Sequence, residues 1–378
     1  MVKDALFYKD NYLKEFNTKV IECIEETNKI KVVLENTAFY PEGGGQPSDT
    51  GFIENTKVLH VEEKDGKIYH EVENRIEVGT KVNCKINFEE RFSNMQNHTA
   101  EHIVSGLICK NYDATNVGFH IGNDFTTMDF NVNLSEEQLR QIEKLANEAV
   151  YKNIEIEEKI YKPDELENLH YRSKKELKED VRLVKIGDYD ICACCGVHVS
   201  KTGEIGIIKL LKADKYKSGV RIYMLAGLKA VQDYTNKFNQ INKISTLLSL
   251  KLDEVYEGVF NQAKEIENLK KEISTLKNEI LNYELFQIKP QRNIVLQKEN
   301  LEMNDMKNFC NKLKEKANNI SGVISNGKFI FMSDTENLKE LLEKLKTEFN
   351  IKGGGTTTMI QGSFVGNPQE IIEKIKGK

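Results

Sequence analysis

The chain has 378 residues, of which 39% are hydrophobic and 30% charged, and its formal net charge is −5. This length allows two or three domains with separate cores, and the acidic balance excludes a uniformly basic nucleic-acid-binding protein. No run of about 18 apolar residues predicts a membrane span, and the N-terminus lacks the pattern of a signal peptide, so we expect a cytoplasmic protein without membrane contact.

Residues 1–88 alternate short β-rich runs with turns, which predicts a small β-barrel or a strongly bent sheet. The dipeptide Asp65-Gly66 between two of these runs is typical of a hairpin turn. The runs are KIKVVLE, KVLHVEE, KIYHEVE and KVNCKINF.

Residues 89–228 mix helical and strand patterns without regular alternation, which predicts an α+β domain rather than a doubly wound parallel sheet. A capping box, Ser135-x-x-Gln138, indicates the start of one helix. Strands are predicted in NIEIEEKIY, VRLVKI, EIGIIKLLKADKY and GVRIYML. Basic residues in and between the last two runs could still form a local nucleic-acid-binding patch: Lys209, Lys212, Lys215, Lys217 and Arg221.

Residues 229–289 form a predicted helical segment, because apolar residues follow 3,4 spacing from Val231 to Tyr283. These residues form an apolar stripe along the helical segment, and the adjacent sequence offers no other apolar surface for it to pack against. We therefore expect a break near SLKLDEV, with Asp253 as the N-cap of a second helix, and homodimer formation through this coiled-coil or hairpin segment. Burial of the stripe against flanking domains of the same chain is the alternative.

Residues 290–378 predict a small separate α/β domain after Pro290. Strands are expected in NIVLQ and GKFIFMS, and helices in DTENLKELLEKLKTEF and NPQEIIEKIKGK. The glycines at positions 353–355 either expose amides to a nucleic-acid backbone or cap the helix expected to end at Asn350.

His98 and His102 lie four residues apart in a helical pattern, so both imidazoles are expected on one face at a spacing that permits a shared metal ion. No Glu follows His98, so the HExxH motif of zincin peptidases is absent. The pair alone is weak evidence of a metal site, because histidines at helical spacing also arise in cores.

A second pair, Cys194 and His198, occurs in DICACCGVHV. Together the two pairs supply the nitrogen and sulfur donors that Zn²⁺ prefers, which predicts a zinc site built from two distant segments. Seven cysteines in a cytoplasmic chain are in any case expected to be thiols or metal ligands. Cys192 and Cys195 remain alternative ligands on spacing.

The segment TAFYPEGGGQPSDTG, residues 37–51, contains Gly43, Gly44 and Gly45. Consecutive glycines permit positive φ and leave backbone amides open to a phosphate, ribose or carbonyl group. No Lys-Ser/Thr follows, so this is not a P-loop, and a plain tight turn is the alternative interpretation.

In their order along the chain, TAFYPEGGGQPSDTG, HTAEH and CCGVHV resemble the three signatures of the editing domain of alanyl-tRNA synthetase. GFHIGNDFTTMDFN and GVRIYMLAG resemble neighbouring strands of that domain, and the residues from 229 onward resemble the synthetase's C-terminal helical and DHHA1-type region. With Met1 at the start of the barrel and no aminoacylation domain ahead of it, the chain resembles the freestanding, long-form editing factors of the AlaX family.

The resemblance implies a zinc-dependent hydrolase that deacylates tRNA(Ala) mischarged with serine or glycine. It implies that Thr37 discriminates the serine side chain and that Gln46 and the three glycines shape the aminoacyl-adenosine pocket, which makes Thr37 and Gln46 the candidate catalytic residues. The implied zinc ligands are His98, His102, Cys194 and His198. Because four protein ligands close the zinc coordination shell, a positioning role for the metal is favoured.

The chain departs from the family pattern near the cysteine cluster, and other functions fit parts of the sequence. Cys195 and Val197 stand where the family has Gly and Thr, and Cys192 stands near a position where the synthetase often has an acid. A non-catalytic, zinc-stapled tRNA-binding and dimerisation module is the main rival. The tripeptide GGQ also occurs in peptide-release factors, which cleave peptidyl-tRNA esters. In those proteins a flexible exposed loop is expected, whereas here the tripeptide is predicted at a strand edge beside the Cys/His cluster, so a release-factor function is not favoured.

Overall fold

The computed structural model describes residues 5–26, 29–166, 169–173 and 180–377. The chain divides into two compact units, Met1–Gln240 and Ile241–Lys378. None of the helices formed by the described residues has the length and apolar character needed to span a membrane.

The N-terminal barrel predicted from the sequence is confirmed as a closed, six-stranded antiparallel barrel with the order β1-β2-β5-β4-β3-β6. Asp65 and Gly66, both at positive φ, form the expected turn between β4 and β5. Two strands, β1 and β3, were not predicted from the sequence. The strands are β1 Glu15–Glu26, β2 Lys29–Leu34, β3 Gly51–Ile53, β4 Thr56–Lys64, β5 Lys67–Val72 and β6 Lys81–Ile86.

A 25-residue helix, α2 (Phe88–Tyr112), lies at the centre of the first unit. Nearly every residue between Arg91 and Ile108 is buried, so this helix is covered on all sides rather than amphipathic. The predicted capping box is present at the start of α3, where Ser135 and Gln138 bond reciprocally. The helices of this unit are α1 Leu6–Lys9, α2, α3 Glu136–Tyr151 and α4 Pro163–Leu166, and α5 Leu228–Leu248 crosses its boundary.

Two further sheets complete the first unit, and their mixed arrangement agrees with the α+β prediction. One has the strand order β11-β10-β9 and the other the order β12-β13-β8-β7. Their strands are β7 Asn116–Ile121, β8 Thr126–Phe130, β9 Ile156–Tyr161, β10 Val181–Ile186, β11 Asp190–Ala193, β12 Ile208–Tyr216 and β13 Gly219–Ala226.

The predicted break in the helical segment is confirmed between α5 and α6 (Val255–Gln287). The expected N-cap was wrong: Glu254 precedes α6, because Leu252–Glu254 forms a 3₁₀ turn that includes Asp253. Most apolar side chains of the α6 stripe are exposed, and their exposed fractions run from 46% at Val259 to 74% at Tyr283.

The second unit contains a five-stranded mixed sheet with the order β14-β15-β16-β18-β17. The helix-cap interpretation of the glycines at 353–355 was wrong, because α8 ends at Glu348 and these glycines lie in β17. A Cβ at Gly355 would fall 2.1 Å from the Met359 carbonyl, so glycine here allows close strand pairing. The elements are β14 Gln291–Gln297, α7 Met303–Leu313, β15 Ala317–Ser325, β16 Lys328–Met332, α8 Leu338–Glu348, β17 Asn350–Gly355, β18 Met359–Val365 and α9 Pro368–Lys376.

Candidate metal centre

The four side chains selected from the two sequence pairs converge in the first unit. His98 and His102 project from α2, and Cys194 and His198 come from the loop after β11. Their potential ligand atoms all lie within 4.8 Å of one another. The Cys194 Sγ is 3.4 Å from Nε2 of both His98 and His198. The three imidazoles are at most 2% exposed, which makes the cluster a buried nitrogen and sulfur donor set.

These distances fit zinc. With Zn–S bonds of about 2.3 Å and Zn–N bonds of about 2.0–2.1 Å, tetrahedral geometry separates sulfur from nitrogen by roughly 3.5 Å. The spacing between the Cys194 sulfur and its two histidine nitrogens is close to this value. Cys194, His98 and His198 therefore need little rearrangement to share one ion.

Two of the imidazoles are oriented by hydrogen bonds at Nδ1. Nδ1 of His98 donates to Oε1 of Gln46 at 2.7 Å. The hydroxyl of Thr99 donates to the Met95 carbonyl at 2.8 Å, so it accepts from Nδ1 of His198 at 3.2 Å. Because both Nδ1 atoms carry the proton, both Nε2 atoms keep a lone pair for a metal.

The third imidazole, His102, is held by a carboxylate. Its Nδ1 lies 2.9 Å from Oδ2 of Asp190, and Asp190 also forms a bidentate pair with Arg172 at 2.6 and 2.7 Å. Burial opposes ionisation of Asp190, but Arg172 and His102 lower its pKa. A Cβ at Gly106 would fall 2.1 Å from the Tyr189 carbonyl, so this glycine lets the β10–β11 hairpin approach α2 closely enough for the contact.

Cys194 is set up as a thiolate. Burial would raise its pKa, but electrostatic interactions with the surrounding His98, His102 and His198 side chains hold the pKa well below the usual range of a thiol. The backbone N–H of Gly196 also donates to its sulfur at 3.2 Å. A thiolate is the form of cysteine that binds zinc.

The loop 194–198 is held by side chains from elsewhere in the chain, which bond its carbonyl oxygens. Arg182 is central, because its buried guanidinium also pairs with Glu158 at 2.6 Å. Four such bonds are present: Arg182 to Cys194 (2.8 Å) and to Gly196 (2.9 Å), Tyr8 to Cys195 (2.7 Å), and Asn11 to His198 (3.1 Å). The shape of the loop is thus fixed by protein contacts.

The alternative cysteine ligands occupy different positions. Cys195 is exposed and belongs to neither group of potential ligands found among the described residues. Cys192 belongs to a second, three-member group with His102 and Asp190. Burial raises the pKa of Cys192 to about 11, whereas the pKa of Cys194 is lowered, so Cys194 is the more readily ionised of the two thiols.

The glycine loop is a tight turn that also presents a side chain to the cluster. Gly43 and Gln46 bond reciprocally through their backbones at 3.1 and 3.0 Å. Gly45 has φ 87°, and a Cβ there would fall 2.5 Å from the Phe119 carbonyl. Gln46 is 1% exposed, and its Nε2 has no hydrogen-bond partner among the described residues. The turn therefore places an unused amide donor beside His98.

Arg91 connects this loop segment to the histidine helix. Its guanidinium forms a buried bidentate pair with Asp49 and donates to the Ala38 carbonyl at 2.6 Å. Asp49 in turn accepts from the Tyr40 backbone at 2.6 Å. Since Arg91 lies seven residues before His98 on α2, this ion pair fixes the segment relative to the metal-ligand face.

Thr37 is oriented by a buried histidine that the sequence analysis did not identify. His70 donates from Nδ1 to the Val32 carbonyl at 3.0 Å, so its Nε2 accepts the Thr37 hydroxyl proton at 2.8 Å. The same hydroxyl accepts from the Phe39 backbone at 3.1 Å. Burial lowers the pKa of His70 to about 4, which keeps it neutral at pH 7.

The chain is similar to known proteins along nearly its whole length. The family described as "Threonyl and Alanyl tRNA synthetase second additional domain" matches residues 181–223, and "tRNA synthetases class II (A)" matches residues 5–90. The alanyl-tRNA editing protein AlaX-L of Pyrococcus horikoshii is 32% identical over 98% of the chain and 96% of its own length. The alanine–tRNA ligases of Pyrococcus furiosus and Methanobrevibacter smithii are 31% and 30% identical, but the chain spans only 44% of each ligase.

Proposed function

The chain belongs to the family of the alanyl-tRNA editing protein AlaX-L, and from this premise we propose that it is a trans-editing aminoacyl-tRNA hydrolase. Its substrate is tRNA(Ala) mischarged with serine or glycine, and the reaction is hydrolysis of the aminoacyl ester at the 3′ end. The observation that carries this proposal is the convergence of four metal donors beside the unpaired amide of Gln46.

We infer that His98, His102, Cys194 and His198 hold Zn²⁺. The donor types, the sulfur–nitrogen spacing and the oriented imidazoles support this choice. A bound zinc supplies a fixed positive charge that orients the substrate and stabilises developing negative charge.

Gln46 has two tasks in this proposal, one at each end of its amide. Oε1 holds His98 in the ligand tautomer. Nε2 is buried and has no partner among the described residues, so it can donate to the carbonyl oxygen of the ester as negative charge develops there. A buried donor without a partner carries a desolvation cost that such a hydrogen bond removes.

Thr37 is proposed to recognise the serine side chain as an acceptor. Its hydroxyl proton is committed to His70, and one of its two lone pairs accepts from the Phe39 backbone. The remaining lone pair can accept a hydrogen bond from a serine hydroxyl, and alanine lacks that group. The glycines at positions 43–45 would bring the backbone close to the terminal adenosine.

The deciding experiment incubates the purified protein with Ser-tRNA(Ala), Gly-tRNA(Ala) and Ala-tRNA(Ala), each with and without a zinc chelator. We expect hydrolysis of the mischarged species, protection of Ala-tRNA(Ala), and loss of turnover with chelator. Equal hydrolysis of all three would contradict an editing role. Zinc binding without any hydrolysis would favour a zinc-stapled tRNA-binding module.

The exposed stripe of α6 supports the proposal of a homodimer. Ile266, Ile273 and Ile280 are each more than half exposed and recur every seven residues, the spacing of a two-stranded coiled-coil seam. Sedimentation of the full chain is expected to give twice the monomer mass, and Ile273→Glu is expected to shift it to the monomer.

A further inference from the structure

Asn94, on the histidine helix α2, carries a buried amide that the folded chain leaves unused. The residue is 3% exposed, and its Nδ2 has no hydrogen-bond partner among the described residues. Such a donor costs free energy unless a bound molecule supplies the missing acceptor. The nearby Asn97 is different, because its Nδ2 donates to the Ser93 carbonyl at 2.9 Å and its Oδ1 accepts from the Ala226 N–H at 3.2 Å.

Asn94 lies on the metal-ligand side of α2. It precedes His98 by four residues, so at 3.6 residues per turn the two side chains differ by roughly 40° around the helix axis, with Cβ atoms about 6 Å apart. Oγ of Ser93 and Oε1 of Gln96 are also buried without a partner in the described part of the chain. They lie roughly 140° and roughly 160° around the axis from His98. Of these three groups, only Asn94 faces the site.

Strand β7 runs along α2 toward the earlier turns of the helix. At the start of the strand, the Asn116 amide donates to Oε1 of Glu101 at 2.8 Å. Three residues later, the ring centroid of Phe119 lies 4.9 Å from that of His98. Later residues of β7 thus meet earlier residues of α2, and the end of the strand reaches the helix turn that precedes His98.

The end of β7 brings the glycine turn to this part of α2. Ile121 donates from its backbone N–H to the Gly45 carbonyl at 2.8 Å. Its partner on β8, Thr126, donates from its hydroxyl to Oδ1 of Asn97 at 3.2 Å. Because Asn97 follows Asn94 by three residues, the hairpin end and the glycine turn border the helix turn that carries Asn94.

The glycine turn also carries the other unused amide donor of the site. Gln46 follows Gly45, and its Oε1 accepts from Nδ1 of His98 at 2.7 Å, so its unpartnered Nε2 lies beside that ring. Two buried amide groups therefore reach the space beside His98, one from the helix and one from the turn. Buried N–H donors that converge on one point stabilise an oxyanion, because no water competes for the bond.

We propose that Asn94 is a second hydrogen-bond donor to the carbonyl oxygen of the aminoacyl ester, acting together with Gln46. When water attacks the carbonyl carbon, the C=O double bond opens and negative charge develops on that oxygen, which both amides stabilise. The double bond then re-forms, the bond to the ribose oxygen breaks, and the ribose oxygen takes up the proton that the water gave up. This inference deepens the proposed function and rests on it.

The first experiment measures hydrolysis of Ser-tRNA(Ala) by Asn94→Leu and Asn94→Ala. Loss of the donor is expected to lower kcat by about 10²–10³, the typical effect of removing one oxyanion donor, with little change in KM. Zinc content should match the wild type, because Asn94 is not one of the four metal donors. A raised KM with unchanged kcat would show a contact that is equally strong in the ground state, and would overturn the proposal.

The double variant Gln46→Glu/Asn94→Ala tests whether the two amides serve one oxygen. If they do, the loss in kcat should be clearly smaller than the product of the two single losses, because groups that act as a unit are not additive. A loss equal to that product would assign Asn94 to another group of the substrate and would contradict the proposal.

Thermal unfolding separates this role from a structural one. Since Nδ2 of Asn94 bonds to no described residue, Asn94→Leu removes an unsatisfied donor and should unfold at or above the wild-type temperature. Asn97→Leu is the matched control, because it removes a bonded amide from the same helix and should lower the unfolding temperature. A lower unfolding temperature in both Asn94→Leu and Asn94→Ala would assign Asn94 a structural role instead.

Failure of this inference is distinguishable from failure of the proposed function. If the wild type hydrolyses Ser-tRNA(Ala) and both Asn94 variants match its kcat, the role of Asn94 is wrong and the hydrolase remains. If the wild type hydrolyses no aminoacyl ester, the hydrolase proposal is wrong. Binding of the amide analogue 3′-deoxy-3′-(serylamino)adenosine then decides the contact: weaker binding by both variants supports it, and equal affinity overturns it.

Discussion

Gly196 lies against the imidazole of His98, and a Cβ at position 196 would fall 2.1 Å from Cε1 and 2.3 Å from Nδ1 of that ring. The same Cβ would be 3.1 Å from Oε1 of Gln46. The absence of a side chain at position 196 is therefore what allows the cysteine loop, the histidine helix and the glycine loop to meet.

Gly196→Ala is expected to displace His98 and to lower both zinc affinity and turnover, because a shift of about 1 Å in a catalytic group can cost roughly 100-fold. Gly354→Ala is the matched control, since its Cβ would meet no atom within 4 Å. Zinc content and deacylation rate of the two variants check this. Wild-type zinc content in Gly196→Ala would show that the ring tolerates the methyl group.

Single cysteine substitutions decide the ligand set. Cys194→Ala is expected to abolish stoichiometric zinc binding, because its thiolate lies among the three imidazoles. Cys195→Ala should retain one zinc and change the free energy of unfolding by no more than about 0.5 kcal/mol, as expected for an exposed side chain. Loss of zinc from Cys192→Ala with retention in Cys194→Ala would instead support the second group around His102. Metal analysis of the three purified variants gives the answer.

Gln46→Glu separates the two tasks of the Gln46 amide. A carboxylate oxygen still accepts the Nδ1 proton of His98, but the N–H donor is lost. We expect zinc to be retained and kcat to fall by about 10²–10³, the typical effect of removing one oxyanion donor. Gln46→Ala should lose both functions and bind zinc more weakly. Equal kcat in Gln46→Glu and the wild type would remove Nε2 from the mechanism.

Asp190→Asn tests the support of His102. Loss of the carboxylate is expected to weaken zinc binding by about 10- to 100-fold, as for other partners of metal-bound histidines. It also leaves the Arg172 guanidinium without its ion-pair partner, so a lower unfolding temperature is expected. Asp188→Asn, an exposed change in the same hairpin, is the control for both measurements. Chelator competition measures the affinity, and no difference between the two variants would contradict the role of Asp190.

His70 predicts a specific pH dependence of stability. Its pKa is lowered to about 4 by burial in the folded barrel, whereas an unfolded histidine titrates near its ordinary value. Between about pH 6.5 and about pH 4 the unfolded chain binds the extra proton, so the free energy of unfolding falls as the pH drops, by roughly 3 kcal/mol over this window.

The measurement is denaturant unfolding of the wild type and His70→Gln at several pH values. The variant lacks the titrating group, so the stability difference between the two proteins should shrink as the pH falls through this window. A difference that stays constant from pH 7 to pH 4 would show that His70 is not held neutral by burial.

Local patterns in the sequence determined much of the first unit. Short β-rich runs and the Asp65-Gly66 turn predicted most of the barrel, because both depend on residues close in the chain. The four-residue spacings of His98/His102 and Cys194/His198 predicted two donor pairs for the same reason. The identities of those donors were sufficient to suggest zinc.

Tertiary structure decided the contacts that make the pairs into a site. Gln46 with His98, Asp190 with His102, and His70 with Thr37 join residues between 33 and 88 positions apart, and no local periodicity encodes such pairings. Sequence signals for these contacts were weak. His70 lies within a predicted strand, and Asp190 lies just before the cysteine cluster. Which cysteine faces the imidazoles also depended on the fold. Neighbouring residues of an irregular loop point in different directions, and the direction of each is fixed by distant side chains such as Arg182.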